Sequence, residues 1–220
     1  MTAAIECENL YRFFHAGDEE TLALRGVSLA IHAGELVAIT GPSGSGKSTL
    51  LACLAGLEEP DGGTVHLGGE RLTRKSEEER SALRAREIGV LYQSFNLVGH
   101  LDLNANLALA RKLRAGDARR RPAREILEQV GIGDRGGARP HQLSGGELAR
   151  AGLAVALAND PGVLLCDEPT GELDEQSASR VLGLLGERAR GGGAVAVVTH
   201  NPAVAGAADR IIELCDGQVI

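Results

Sequence analysis

The run Leu36-Val-Ala-Ile-Thr-Gly-Pro-Ser-Gly-Ser-Gly-Lys-Ser-Thr49 decides how the rest of the chain is read. Its first half, Leu36–Thr40, is apolar and β-branched and predicts a buried strand. The second half fits G-x-x-x-x-G-K-[ST], a phosphate-binding loop placed between a strand and the start of a helix, where its chemistry requires it. Glycines let successive backbone N–H groups turn inward on phosphate oxygens, and the following helix adds its positive N-terminal end. Gly41, Ser43, Gly44, Ser45 and Gly46 are therefore expected to cradle ATP with Thr49 close by. Lys47 is expected to neutralise the β- and γ-phosphates and Ser48 to ligate Mg²⁺, a metal held by few protein groups plus phosphate oxygens. A glycine-rich turn without a ligand is the alternative, and the flanking strand and helix weigh against it.

Outward from this loop, short apolar runs predict strands at Val27–Ile31, Leu36–Thr40, Ile88–Tyr92, Val163–Cys166, Ala194–Thr199 and Arg210–Leu214. Apolar residues near i, i+3 and i+4 predict helices over Lys47–Gly56, Leu103–Arg114, Pro122–Val130, Gly146–Ala158 and Glu175–Arg190. Strands alternating with helices indicate an α/β fold with a parallel sheet covered on both faces. From about 94 to 158 no strand is expected, which reads as a helical insertion into one domain spanning 1–220.

Three further features bear on chemistry. Val163-Leu-Leu-Cys-Asp167-Glu168 is a buried strand ending in two carboxylates: Asp167 to hold Mg²⁺ through water, Glu168 to polarise the attacking water. Leu143-Ser144-Gly145-Gly146-Glu147 precedes a helix and offers a second set of inward-facing donors. Gln93 and His200 each close a predicted strand. Taken singly, these are an Asp at a strand exit, a helix cap and a structural histidine. Their combination decides otherwise.

In that combination the chain resembles the ATP-binding-cassette ATPases from end to end. Phe14, the phosphate loop (Walker A), Gln93, Leu143–Glu147, the Asp167–Glu168 pair (Walker B), Glu172-Leu173-Asp174 and His200 occur in the family's order. The resemblance implies a P-loop NTPase core with an N-terminal antiparallel β-subdomain and an inserted helical subdomain. It also implies an ATPase that works as a head-to-tail homodimer, or paired with a second cassette, with ATP sandwiched between one subunit's Walker A and the other's signature. On this reading Phe14 stacks on adenine, with Tyr11 and Phe13 as fallbacks, and Gln93 senses water and metal. Ser144, Gly145, Gly146 and Glu147 face the γ-phosphate across the interface, Asp174 makes a cross-dimer contact, Glu168 is the catalytic base and His200 holds the γ-phosphate. The signature ends in Glu147 where Gln is commoner, and Leu148-Ala149-Arg150 and Val155 also depart from the usual pattern. Those changes lie behind the signature and leave the hydrolytic positions intact.

The segments His15–Ser28, Tyr92–Leu101 and Asp167–Asp174 are most similar to the lipoprotein-release and macrolide-export branch, whose ATPases drive permeases with large extracytoplasmic domains. The cell-division ATPase that regulates wall hydrolases is the alternative. Integral-membrane permease subunits are the implied partners, and the cytoplasmic face of the plasma membrane the implied location. DNA-repair relatives place hundreds of coiled-coil residues between Lys47 and Ser144, tandem-cassette translation factors need a second cassette, and small-molecule kinases lack the signature and His200. The chain's end at Ile220 leaves nothing for a C-terminal regulatory domain of the importer type.

Composition sets the outer limits. With 43% apolar and 24% charged residues among 220, the chain is neither disordered nor membrane-spanning. A net charge of −7 argues against nucleic acid as partner. Cys7, Cys53, Cys166 and Cys215 have no zinc-like spacing and are expected to be buried thiols, with no structural metal. The basic stretch Arg111–Arg124 is expected to be a solvated helical face, or else a contact with lipid headgroups or an acidic partner. Five of the six histidines (His15, His32, His66, His100, His141) are expected to be satisfied structural residues. The five aromatics, Tyr11, Phe13, Phe14, Tyr92 and Phe95, fall in two short segments and are expected at nucleotide and partner surfaces rather than in the core.

Overall fold

The structure is a computed structural model that describes residues 2–16, 19–94, 96–114 and 121–220. Two sheets form it. The strands β1 (Ile5–Ala16), β2 (Glu19–Ile31), β3 (Leu36–Thr40), β4 (Gly62–Leu67), β5 (Glu70–Arg71), β6 (Ile88–Leu91), β7 (Val163–Asp167), β8 (Ala194–Val198), β9 (Arg210–Cys215) and β10 (Gln218–Val219) divide into an antiparallel sheet ordered β2-β1-β4-β5 and a second sheet ordered β10-β9-β3-β8-β7-β6. In the second, β9, β3, β8, β7 and β6 run parallel and β10 returns antiparallel against β9. The helices are α1 (Lys47–Leu54), α2 (Glu77–Glu87), α3 (Leu103–Lys112), α4 (Ala123–Gln129), α5 (Gly145–Ala156), α6 (Glu175–Arg190) and α7 (Pro202–Ala205).

The interior parallel strands β3, β8 and β7 are apolar until their C-terminal ends because both faces are covered, whereas β9, nearer the edge, exposes Arg210, Ile211 and Glu213. Parity along each strand assigns side chains to one core or the other. Val37 and Ile39, Val163 and Leu165, and Ala194, Ala196 and Val198 point toward α1 and the antiparallel sheet. Leu36, Leu164, Cys166, Val195 and Val197 point the other way, into a core shared with α3, α4, α5 and α6. Among the described residues no strand lies between Ser94 and Ala158.

Three elements differ from the sequence expectation for physical reasons. Strand β2 begins at Glu19 rather than Val27, because its first half pairs with β1, which was itself not foreseen. In β1 the buried residues are Ile5 and Cys7, then Leu10, so the register slips between Cys7 and Leu10, at a left-handed Asn9 (φ 50°), and the period-2 signal breaks. Helix α2 buries only Leu83 and therefore has no apolar stripe to read. It is held by a Ser76–Glu79 capping box and by ion pairs of Arg80 with Glu59 and Glu77 and of Arg84 with Glu77. After β9, where no further element was expected, Asp216-Gly217 form a hairpin turn and Gln218–Val219 the edge strand β10.

Other expectations need correction. Cys7, Cys53 and Cys166 are buried but Cys215 is half-buried, and burial pushes the Cys7 and Cys53 thiols up to about 12, so both stay protonated. The basic stretch is not one helical face: Arg111 and Lys112 end α3, Arg121 precedes α4, Arg124 lies in its first turn and pairs with Glu128, and Arg119 and Arg120 lie outside the described residues. His15, His100 and His141 are exposed surface residues, and the Nδ1 atoms of His32 and His66 are buried without a hydrogen-bond partner among the described residues. None of the four described aromatics joins either core, and Phe95 lies outside the described residues.

Candidate functional site

At the C-terminal ends of β3, β7 and β8 the chain opens into a cleft of about 610 Å³. Its floor is the loop between β3 and α1. Gly41 (φ 143°) could not be any other residue, since a Cβ there would sit 2.0 Å from the Leu214 carbonyl oxygen of β9. Gly46 (φ 98°) caps α1 in the left-handed region, where a Cβ would lie 2.4 Å from the Ala23 carbonyl oxygen. Both close approaches bring the loop against other strands. Lys47 Nζ donates to the carbonyls of Gly41 (2.9 Å) and Pro42 (2.7 Å), lying back across the loop.

Ser48 and Asp167 both line the cleft, near enough for Ser48 to favour the charged form of the Asp167 carboxylate. Burial raises Asp167 above the ordinary carboxylate range; the Ser48 hydrogen bond opposes this, the Glu168 charge adds to it and Lys47 counters it. Glu168 sits one residue past the strand with φ 46°, a strained conformation for a residue with a side chain. The turn aims its carboxylate at the end of β8. There it accepts from Thr199 Oγ1 (3.1 Å) and the His200 backbone N–H (3.0 Å), and it lies 2.7 Å from His200 Nδ1. Two fixed donors thus hold the carboxylate in one orientation. Gln93, Phe14, Ser43, Gly44 and Thr49 join the lining as expected, whereas Gly41 and Ser45 do not reach it: Gly41 is pressed against β9 and Ser45 is buried with its N–H on the Pro42 carbonyl.

Of the aromatic candidates only Phe14 faces the cleft. Tyr11 packs over Gly26 and Gly62 instead, and Phe13 is half-buried away from the lining. Ser144, Gly145, Gly146, Glu147 and Asp174 are not brought to the cleft at all. Ser144 caps α5, its Oγ accepting from the Glu147 N–H while Glu147 Oε2 accepts from the Ser144 N–H, and Arg135 pairs with the same carboxylate. Asp174 caps α6 through the Ser177 N–H.

These two helix starts touch each other. A Cβ on Gly146 would lie 2.4 Å from Ser177 Oγ and 2.9 Å from Ser177 Cβ, whereas one on Gly145 would meet nothing within 4 Å. Gly146 is therefore required for packing within its own chain as well as for any donor role. Gly146→Ala is expected to destabilise the fold by about 1–3 kcal/mol in urea unfolding through overpacking, and Gly145→Ala to leave stability close to parental. Equal effects at the two positions would refute the packing argument.

Several lining residues were not foreseen: Thr21, Leu22, Ala23 and Arg25 of β2, Val198, and Asp216-Gly217 of the β9–β10 turn, as well as Thr199 behind Glu168. Only Asp216-Gly217 carried a signal, the Asp-Gly pair of a tight hairpin. The Gly217 N–H donates to the Ser45 carbonyl and the Gly217 carbonyl accepts from Arg25 N–H, so the turn braces the phosphate loop against β2.

Comparison with known proteins agrees with this geometry. The ABC transporter family matches residues 24–171. The chain is 42% identical over 218 residues to the macrolide export ATP-binding/permease protein MacB 1 of Aeromonas hydrophila, covering 98% of this chain but 34% of that protein. It thus spans about a third of the length of that relative. An uncharacterised ABC transporter ATP-binding protein of Methanocaldococcus jannaschii is 41% identical over 98% of this chain and 97% of its own. The dimeric structure of the bacterial ABC transporter cassette MJ0796 superposes with a TM-score of 0.90 at 36% identity, covering 98% of this chain and 96% of that one. A second structure of that cassette, in a post-hydrolysis state bound to ADP and Pi, gives 0.88 at 35% identity over the same shares. A phosphate loop, a carboxylate pair and a strand-end histidine around one cleft, on a fold shared at this level, leave one assignment: the chain belongs to the ABC transporter family, as one of its ATPase cassettes.

Proposed function

We propose that this cassette hydrolyses ATP in a head-to-tail dimer and drives a separate membrane permease of the macrolide-export or lipoprotein-release type, 1–220 acting as one ATPase domain with a helical subdomain over about 94–158. The observation that supports the dimer is the division of the expected groups. Phe14, Ser43, Gly44, Gly46, Lys47, Ser48, Thr49, Gln93, Asp167, Glu168 and His200 line one cleft, while Ser144, Gly145, Glu147 and Asp174 stand outside it on two helix starts that pack together through the buried Gly146. A second copy turned about a two-fold axis supplies what the first cleft lacks.

In that arrangement the loop amides and Lys47 bind the β- and γ-phosphates, and the partner's signature amides close over the γ-phosphate. Glu168, oriented by Thr199 and the His200 backbone, takes the proton of the attacking water, and His200 steadies the γ-phosphate. The Ser48 hydroxyl, the Asp167 carboxylate and the Gln93 amide are hard oxygen donors suited to Mg²⁺, and they fit a site in which phosphate oxygens and water complete the shell. When bound there, Mg²⁺ offsets charge building up on the phosphate oxygens. No helix among the described residues is long and apolar enough to cross a membrane. On this reading cargo passes through the permease, and binding the permease places the cassette at the cytoplasmic membrane face.

Capture of the tagged chain from membranes of its own host tests the partner. The expected result is a polytopic protein with a large extracytoplasmic domain. Recovery of a cell-division complex that controls wall hydrolases would select the alternative branch, and absence of any polytopic protein would overturn both.

A further inference from the structure

One side chain near the cleft, Arg12 on the interior strand β1 of the antiparallel sheet, is engaged by several partners at once. The Arg12 guanidinium lies 4.8 Å from the centre of the Phe14 ring. It is also held by Glu58 (2.8 Å) and Asp61 (3.1 Å). Asp61 grips the same strand again: its carboxylate accepts from the Phe13 N–H (2.8 Å), and its own N–H donates to the Tyr11 carbonyl (2.9 Å). Glu58 belongs to the segment leaving the phosphate-loop helix, and its N–H donates to the Ala52 carbonyl within α1. A continuous chain of contacts therefore runs from α1 through Glu58 and Arg12 to the ring.

Phe14 lines the cleft, while Arg12, over the same ring, does not. A cation on one face of an aromatic ring draws electron density toward itself. The free face then becomes a better partner for an electron-rich heteroaromatic base, and the ring loses rotational freedom that base binding would otherwise have to remove.

We propose that Arg12 is a positioning residue for the nucleotide base: it backs the Phe14 ring as a cationic plate and, through Glu58, ties the base platform to the helix that carries the phosphate loop. This rests on the reading that Phe14 stacks on adenine. It goes beyond that reading in assigning the ring's orientation and its affinity to a residue that never touches ATP.

The test uses the full chain and two probes, ATP and inorganic tripolyphosphate, which has the phosphates without the base. Arg12→Met, which keeps the stem and removes the charge, is expected to raise the KM for ATP about fivefold, the range of a partly desolvated cation–π contact. The loss should fall on KM rather than kcat, affinity for tripolyphosphate should stay parental, and Arg12→Lys should recover part of the loss. Equal losses for ATP and tripolyphosphate would mean that Arg12 merely supports the fold, and would overturn the proposal. So would parental ATP affinity in Arg12→Met alongside a loss in Phe14→Ala. Parental ATP affinity in Phe14→Ala would instead remove the stacking reading, and the proposal with it. If Arg12→Met does not fold, Glu58→Gln combined with Asp61→Asn loosens the same guanidinium and must reproduce the ATP-only loss; failure to do so overturns it equally.

Discussion

Glu168→Gln should lower steady-state ATP turnover by about 10²–10⁴-fold, the usual worth of a general base, while ATP still binds. The substitution is nearly isosteric, and glutamine keeps one oxygen for the Thr199 hydroxyl or the His200 N–H that orient the native carboxylate. It cannot accept a proton from water. It also removes a negative charge from the cleft, beside the raised carboxyl of Asp167, so repulsion of the γ-phosphate falls. The left-handed backbone at this position is equally strained with either residue, so the fold should not respond. ATP should consequently trap a stable dimer, visible as a doubled mass in size-exclusion chromatography with light scattering. Hydrolysis at the parental rate would dismiss Glu168 as the base.

Lys47→Ala should abolish detectable nucleotide binding. Its ammonium lies over the loop on the carbonyls of Gly41 and Pro42, within reach of any phosphate the loop amides hold. Hydrogen bonds to a charged group are each worth about 1.5–3 kcal/mol, so losing two of them weakens binding by roughly 10²–10⁴-fold. The fold should survive, because the carbonyls set free lie at the open surface of the loop and can turn to water. A nucleotide-free melting temperature near parental, with no upward shift on adding Mg-ATP, is the expected pair of results in thermal unfolding. Unchanged ATP affinity in calorimetric titration would mean that the loop does not bind nucleotide through this lysine.

Much of the core was legible because its signals are local. Strands β3, β7 and β8 are short apolar runs, and Glu175–Arg190 has an apolar face at helical spacing that coincides with α6. The antiparallel sheet was harder. A register slip at Asn9 moves the buried set of β1 from odd to even positions, and α2 is stabilised by ion pairs rather than by an apolar stripe, so neither presents the period that a sequence reading looks for. The same holds for the wall of the cleft contributed by Thr21–Arg25 and Asp216-Gly217, which the strands bring together from opposite ends of the chain.

From the linear order alone come the phosphate loop, the carboxylate pair, the signature and the histidine, hence the family and its chemistry, because each depends on residue types at fixed short offsets. Tertiary structure decided the rest. It put Glu168 against Thr199 and His200 and Arg12 over Phe14, it made Gly146 a packing position against Ser177, and it left Ser144 and Asp174 outside the cleft they are expected to serve. These are contacts between segments far apart in sequence, and their distances are set by how two cores pack on the faces of one sheet, which no local pattern encodes.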